Sequence, residues 1–337
     1  MPPVTIKEVA KRAKVSIATV SRVLNSSDKV TQGTREKVLA ACKDLGYSPN
    51  VQAKRLKLGK THTIMAVLPF LTLPSIIERL RGVLEAFAAS EFDLIPFSVE
   101  NPQDREIYLA SLSNRSRSDG VLIISMPITE SQVQRFQDIG MPVVLIDSHH
   151  RTLKRIIVDD IAGGKMATDH LLELGHERIA FISDHLDNPL QFSSMADRFQ
   201  GYRKALEDKQ VKFNPQYQKQ GKHGREEAKQ MALELLNLSI PPTAIVAASD
   251  TQAIGVLDAA RHMNISVPRQ LSVIGYDDIR DADYVNLTTI KQPLYESGLE
   301  GGKAILQQIE NGLLEPLEIQ LPVSLIIRGT TAAPNHG

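Results

Sequence analysis

The chain has 337 residues, 42% hydrophobic and 23% charged, with 39 basic and 39 acidic side chains. This is the composition of a globular protein of two or three domains, and it excludes a disordered or fibrous chain. The zero net charge is unevenly spread: residues 1–60 carry 13 basic and 4 acidic side chains, and the remainder is correspondingly acidic. A basic head on an acidic body points to a polyanion partner. No apolar run approaches the ~20 residues of a bilayer helix. The opening MPPVTIKEVAKRAKV has no hydrophobic signal region, and the lone Cys42 excludes an internal disulfide and a clustered-thiolate metal site. A cytoplasmic location is expected, with no membrane partner and no cofactor.

The head reads as short helices. Thr5-Ile6-Lys7-Glu8 has the form of a capping box, followed by Ile6, Val9 and Ala10 on one face. Ser16 is suited to cap a second helix whose apolar stripe is Val20, Val23 and Leu24. Thr31 opens a third helix, Gln32 to Leu45, with Val38, Leu39, Cys42 and Leu45 expected inside and Gly46 as its left-handed terminus. Three short helices with a three-residue turn between the first two predict a helix-turn-helix. The second helix would enter a major groove N-terminus first, small Ala18 allowing close approach and Arg22 suited to guanine O6 and N7. Arg22 is otherwise a surface arginine. Pro49 ends the third helix and Asn50 caps a new one of about two turns, Val51 to Leu58, too short to stand alone. Leu56 and Leu58 among Lys54, Arg55, Lys57 and Lys60 have the composition of a minor-groove wedge, or else of a flexible basic linker.

The stretch from Val4 to Ile64, above all the ATVSRVLN run and the YSPN…A…L segment, resembles the DNA-binding head of the LacI/GalR family of transcription regulators. The resemblance implies that Ile17, Ala18 and Arg22 choose bases. It implies that Ser16, Thr19, Ser21 and Asn25 hold phosphates and that Ala53, Arg55 and Leu56 enter the minor groove. Thr5, Asn50 and Lys54 complete the expected DNA-binding set. One departure is Lys14, where the family usually has glycine; a positive φ there would strain it.

Beyond residue 62 apolar strands alternate with helices. Strands are expected at 64–68, 93–98, 120–124, 143–146, 156–159, 178–182, 244–247, 271–275 and 321–327. Helices are expected at 74–89, 102–114, 130–139, 165–174, 196–208, 225–236 and 251–263. This alternation predicts parallel sheets in two lobes, with ligands at the carboxyl ends of the strands. Asp147, Ser249, Asp250 and the Tyr276-Asp277-Asp278 run fall at such ends and suit a hydrogen-bonding ligand such as a polyol. Asp250 reads equally as a helix cap, and Asp278 as structural.

The resemblance continues through VDDIAGGKMATDHLLELGHERIAFI, DRFQGYRKALE, AIVAASDTQAIG, LSVIGYDD and LTTIKQP. It implies a periplasmic-binding-protein lobe pair joined by three crossovers, with Arg198 and Asp277 as main effector contacts. Arg198 could instead pair with Asp197 at the surface. Ser75, Ile76 and His223 fall where the family often places aromatic rings. No nucleophile elbow, zinc helix or phosphate loop is present, and His149-His150 lacks a third ligand. An enzyme is therefore not expected. The fold class is an all-α helix-turn-helix head with a hinge helix, then α/β: two parallel-sheet lobes of periplasmic-binding-protein type. The expected domains are 1–47 (DNA binding), 48–61 (hinge) and 62–337 (effector binding and dimerisation). The lobes would be 62–161 plus 291–320 and 162–290 plus 321–337. The expected function is a homodimeric regulator, a repressor by the resemblance, that binds a near-palindromic double-stranded DNA operator and answers to a small-molecule effector such as a sugar. The alternative is a cytoplasmic solute-binding protein without a regulatory role.

Overall fold

The computed structural model describes residues 4–24, 29–47, 61–112, 115, 117–312 and 316–335. Two compact units divide between Thr61 and His62. The first contains α1 (Ile6–Ala13), α2 (Ile17–Leu24) and α3 (Gln32–Leu45). They close around Val9, Ala10, Ala13, Val20, Val23, Val38 and Ala41. At α1 the Glu8 carboxylate accepts the Thr5 backbone N–H at 2.6 Å and its hydroxyl at 2.9 Å. Gly46, at φ 62°, ends α3 in the left-handed conformation that glycine adopts without penalty. The expected inner face of α3 is corrected at one position. Leu39 is 50% exposed, while Ala41, on the Val38 side, is buried.

The second unit alternates strand and helix. Its elements are β1 (Thr63–Pro69), α4 (Pro74–Phe87), β2 (Asp93–Val99), α5 (Pro102–Leu112), β3 (Gly120–Ile124), α6 (Glu130–Asp138), β4 (Val143–Ile146) and β5 (Lys154–Val158). There follow α7 (Asp160–Glu173), β6 (Ile179–Asp184), α8 (Ser194–Asp208), β7 (Gln218–Gly221), α9 (Arg225–Leu236), β8 (Ala244–Ala247), α10 (Asp250–His262) and β9 (Ser272–Asp277). The unit ends with α11 (Arg280–Tyr284), β10 (Thr288–Lys291), α12 (Leu294–Asn311), β11 (Glu318–Leu321) and β12 (Ser324–Ile326). Two six-stranded sheets result, ordered β11-β5-β4-β3-β1-β2 in lobe 1 and β12-β10-β9-β8-β6-β7 in lobe 2. Every pairing is parallel except β10 with β12. Strands β1, β3 and β4 are buried throughout, as continuous apolar runs covered on both faces must be. The chain passes between lobes after β5, after β10 and after β11.

Three expectations are corrected. The apolar run 321–327 is not one strand: Pro322 cannot donate to a ladder, so β11 ends in lobe 1 and β12 pairs antiparallel in lobe 2. The helix expected from Lys165 begins at Asp160, where Asp159 caps it by accepting from the Ala162 N–H at 2.8 Å. Gly163 and Gly164 therefore lie within its first turns. A Cβ at Gly163 would strike the Tyr276 hydroxyl of β9, and one at Gly164 the backbone carbonyl of Arg198, so Gly163 sets the close approach of α7 to β9 and Gly164 that of α7 to α8. Finally, β7, β10, α11 and α12 lie outside the expected elements. The surface of β7, Gln-Lys-Gln-Gly, carries no apolar alternation at all.

Candidate functional site

The head presents one face of α2. Val20 and Val23 pack inward, and Ile17 (46% exposed), Ala18 and Arg22 face outward. An exposed isoleucine at a helix tip, beside an exposed alanine and arginine, makes an apolar and cationic surface. Ser16 Oγ accepts the Thr19 N–H at 3.0 Å and lies 2.8 Å from the Thr19 hydroxyl, so the helix begins at a fixed point. Thr19 and Ser21 flank this face and are half-buried. Thr5 is tied to Glu8 within the head. Lys14 holds φ 53° and ψ 43°, a left-handed conformation that disfavours a Cβ, and it ends α1 just before the turn into α2. Asn25, Asn50, Ala53, Lys54, Arg55 and Leu56 lie outside the described residues.

The second site lies between the two sheets, at the carboxyl ends of their strands. One cavity is lined by Ser75, Ile76, Asp147, Arg198, His223, Ser249 and Asp277 together with Phe70, Arg79, Ser125, Asp184, Phe192, Met195 and Gln292. Of the sequence-derived candidates, Asp250 stands apart from this lining. It is fully buried, accepting the Thr289 hydroxyl at 2.6 Å and the Ile279 N–H at 2.9 Å. The cap of α10 is Ser249, whose Oγ accepts from Gln252. Asp278 pairs with Arg328 at 2.7 Å.

Arg198 does not pair with Asp197 at the surface. It is 4% exposed, donates from Nε to Asp160 at 2.8 Å and from Nη1 to the Ala248 carbonyl at 2.6 Å, and lies 3.6 Å from Asp277. Its guanidinium stacks 3.8 Å above the Tyr276 ring. One cation thus serves two buried carboxylates. Burial pushes Asp160 up to about 6 and Asp277 above its ordinary value, against the pull of Arg198. Arg198 itself is raised: the two carboxylates outweigh the burial that opposes its charge.

Across the cleft, Arg79 of α4 reaches Asp147 at 2.9 Å and the Gln292 side chain at 3.2 Å. Gln292, on the crossover after β10, donates to Asp277, so a hydrogen-bonded chain links the lobes from Asp147 to Asp277. Arg79 is 2% exposed, and its Nε has no hydrogen-bond partner among the described residues. In lobe 2, His223 donates from Nδ1 to Asp184 at 3.0 Å, and Gln252 donates to the same carboxylate at 2.8 Å. Burial works against protonation of His223, but Asp184 outweighs it and raises the pKa above the ordinary histidine value. Four lining residues that are not glycine hold positive φ just beyond their strands or at the strand end: Phe70 (44°), Ser125 (50°), Asp147 (54°) and Asp277 (116°). Such strain costs about 1–3 kcal/mol per residue and persists where surrounding structure over-determines it, commonly at ligand sites.

Sequence reasoning missed Arg79, Ser125, Asp184, Phe192 and Gln292. Arg79 is three residues beyond Ile76 and so shares its helix face; that spacing was the available signal. Among the described residues, no group of three or more His, Cys, Asp or Glu is arranged to hold a metal ion. Nor is any helix there long and apolar enough to cross a membrane.

Two family models match separate parts of the chain. Residues 5–50 match the family model of bacterial regulatory proteins of the lacI family, and residues 168–331 match a periplasmic binding protein-like domain. Catabolite control protein A of Priestia megaterium is 30% identical over 97% of this chain and 99% of its own. The transcriptional repressor CytR of Escherichia coli K12 is 31% identical, with 98% and 96% covered. Among solved structures, a lac repressor dimer bound to operator and the anti-inducer ONPF superposes with a TM-score of 0.85 at 29% identity, covering 98% of this chain and all of that one. A complex of the transcriptional regulator CelR with cellobiose gives 0.71 at 28% identity, with 97% and 99% covered. The chain belongs to the lacI family of bacterial regulatory proteins and is a DNA-binding transcriptional regulator.

Proposed function

We propose that the protein acts as a homodimer on a near-palindromic operator, each head reading one half-site, and that a neutral polyhydroxylated metabolite in the interlobe cleft sets operator affinity. The observation that carries the DNA half is the outward face of α2: Ile17, Ala18 and Arg22, exposed around a fixed Ser16 cap. Ile17 and Ala18 would meet thymine methyl groups and Arg22 a guanine edge, while Ser16, Thr19 and Ser21, with Asn25, hold phosphates. Residues 48–61 would form the hinge whose Leu56 wedge, flanked by Ala53, Lys54 and Arg55, opens a base step between the two half-sites. Residues 62–337 would carry effector binding and dimerisation.

The effector half rests on the charge pattern of the cleft. Arg79 is paired with Asp147, Arg198 with Asp160 and Asp277, and His223 with Asp184. Two arginines and His223 thus face four carboxylates, so an anionic ligand would add uncompensated charge in a buried place. Hydroxyl groups, which both donate and accept, suit such paired charges, and the unpartnered Arg79 Nε calls for one ligand oxygen. Bound ligand bridging Asp147 and Asp277 would fix the angle between lobes and thereby the spacing of the hinges. Operator and effector must then change each other's affinity by one common factor. A thermal-shift screen of neutral sugars and nucleosides tests this, since a ligand of the folded state stabilises it by mass action. A hit that also changes operator affinity supports the reading, and a response only to charged metabolites overturns it.

A further inference from the structure

The segment between β6 and α8 leaves lobe 2 and returns to it, yet its tip belongs to the other lobe. Leu190 is 3% exposed, although both its neighbours, Pro189 and Gln191, are exposed. The apolar cluster that buries it consists otherwise of lobe 1 residues, among them Met65, Val67, Leu109 and Ile123, with Phe192 packed against its margin. Arg105 of α5 donates to the Leu190 carbonyl at 3.2 Å. The segment is braced from within: Asn188 accepts the Phe192 N–H at 3.2 Å and donates to the Phe192 carbonyl at 2.9 Å, and Gln191 turns at φ 60°. This bracing fixes Phe192 relative to Leu190. Phe192 lines the inner chamber of the cleft, about 70 Å³, and also an outer chamber of about 220 Å³ bounded by Ser148, His149, Ser193 and Asp197. The two chambers share Ser125, Asp147, Phe192 and Ser194.

We propose that the segment from His185 to Ser193 is an interlobe latch, with Leu190 as its anchor in lobe 1 and Phe192 as the ring that separates the two chambers of the cleft. While Leu190 is seated the lobes are joined at a third kind of place, apart from the chain crossovers, and the inner chamber is closed to the outer one. Release of Leu190 carries Phe192 with it, joins the chambers and admits a ligand longer than the inner chamber alone. Leu190 is thus a positioning residue, and Phe192 sets the length of ligand accepted. The inference takes the cleft as the ligand site, but its test uses no effector, so the two readings fail separately.

The chain contains no tryptophan, so Phe192→Trp introduces a single indole at the partition. In the full-length F192W protein, emission is expected in the blue, with weak quenching by acrylamide. Adding Leu190→Ala removes most of the anchor and should shift the latch toward its open form by about thirty-fold or more. The expected readout is a red shift and at least a doubling of the acrylamide quenching constant, with far-UV circular dichroism unchanged. Leu190→Met conserves volume and should keep the indole shielded. Should the alanine variant fold poorly, Arg105→Ala in the F192W background removes only the hydrogen bond to the Leu190 carbonyl and should increase quenching to a smaller extent. Equal emission and quenching with and without the Leu190 side chain would overturn the latch. So would a methionine variant as open as the alanine one.

Discussion

Arg198→Met removes the one cation shared by Asp160 and Asp277 while keeping most of the side-chain volume. Both carboxylates are 7% exposed, so neither can be rescued by water without opening the cleft. Breaking a buried pair by removing one partner typically costs about 3–5 kcal/mol. For a unit of this size that corresponds to a fall in Tm of about 10 °C. The loss should depend on pH in a definite sense. Without Arg198, each carboxylate is driven further above its unfolded value near 3.9. The folded variant then binds more protons than the unfolded chain between those values, and its stability falls as pH rises through them. Urea unfolding of the 62–337 transition at pH 5 and pH 8 should give a loss that shrinks at pH 5 by about 1–2 kcal/mol, since each pKa unit is worth 1.4 kcal/mol. A loss below about 1 kcal/mol at pH 8, or one equal at both pH values, would refute the shared-cation reasoning and leave only packing.

Three further outcomes are expected. Leu56→Ala should abolish most specific operator binding in fluorescence anisotropy while effector-induced thermal shifts persist; unchanged operator affinity removes the wedge. Lys14→Gly should relieve the left-handed strain at φ 53° and stabilise the head, by up to about 1 kcal/mol in thermal unfolding, less glycine's extra chain entropy. A destabilised variant would show that the lysine side chain contributes more than its backbone costs. His176 is 2% exposed, donates to the Ala332 carbonyl at 2.9 Å, and is held by burial below the ordinary histidine pKa. The unfolded chain therefore binds more protons below about pH 6.5, and stability falls as the solution is acidified. His223 contributes the opposite slope, its stabilisation being full below the unfolded pKa and lost as pH rises through the raised one. In His176→Gln the decline in Tm between pH 7 and 5 should flatten, and an unchanged decline would assign the acid sensitivity elsewhere.

Much of this molecule is legible in its residues because the physics is local. Thr5 with Glu8, Ser16 before a β-branched stripe and Gly46 after Leu45 each mark a helix end by a hydrogen bond within four residues. Buried parallel strands such as Ile64–Leu68 and Val143–Ile146 announce themselves as unbroken apolar runs. Asp147, Ser249 and Asp277 were recognisable because strand ends in such sheets gather at one cleft. Arg79 was hidden by the opposite logic: on an amphipathic helix an arginine resembles a solvated side chain until Asp147 and Gln292 are brought beside it from 68 and 213 residues away. Phe192 and Leu190 lie in an aperiodic loop, and nothing local tells that their burial is provided by the other lobe. The split at Pro322 was available in the sequence, but the apolar run around it masked the missing N–H.

The central claim is that a cationic helix-turn-helix face grips duplex DNA under control of the cleft. Its most direct test is anisotropy of the full chain on fragments from its own genome, titrated between 50 and 200 mM salt. With 6–10 phosphates engaged, affinity should fall by about 10³–10⁵ over that range. One fragment should retain specific binding that Arg22→Ala weakens by about 1–3 kcal/mol. A protein that binds no fragment at 50 mM salt, or whose binding ignores salt, would contradict the account.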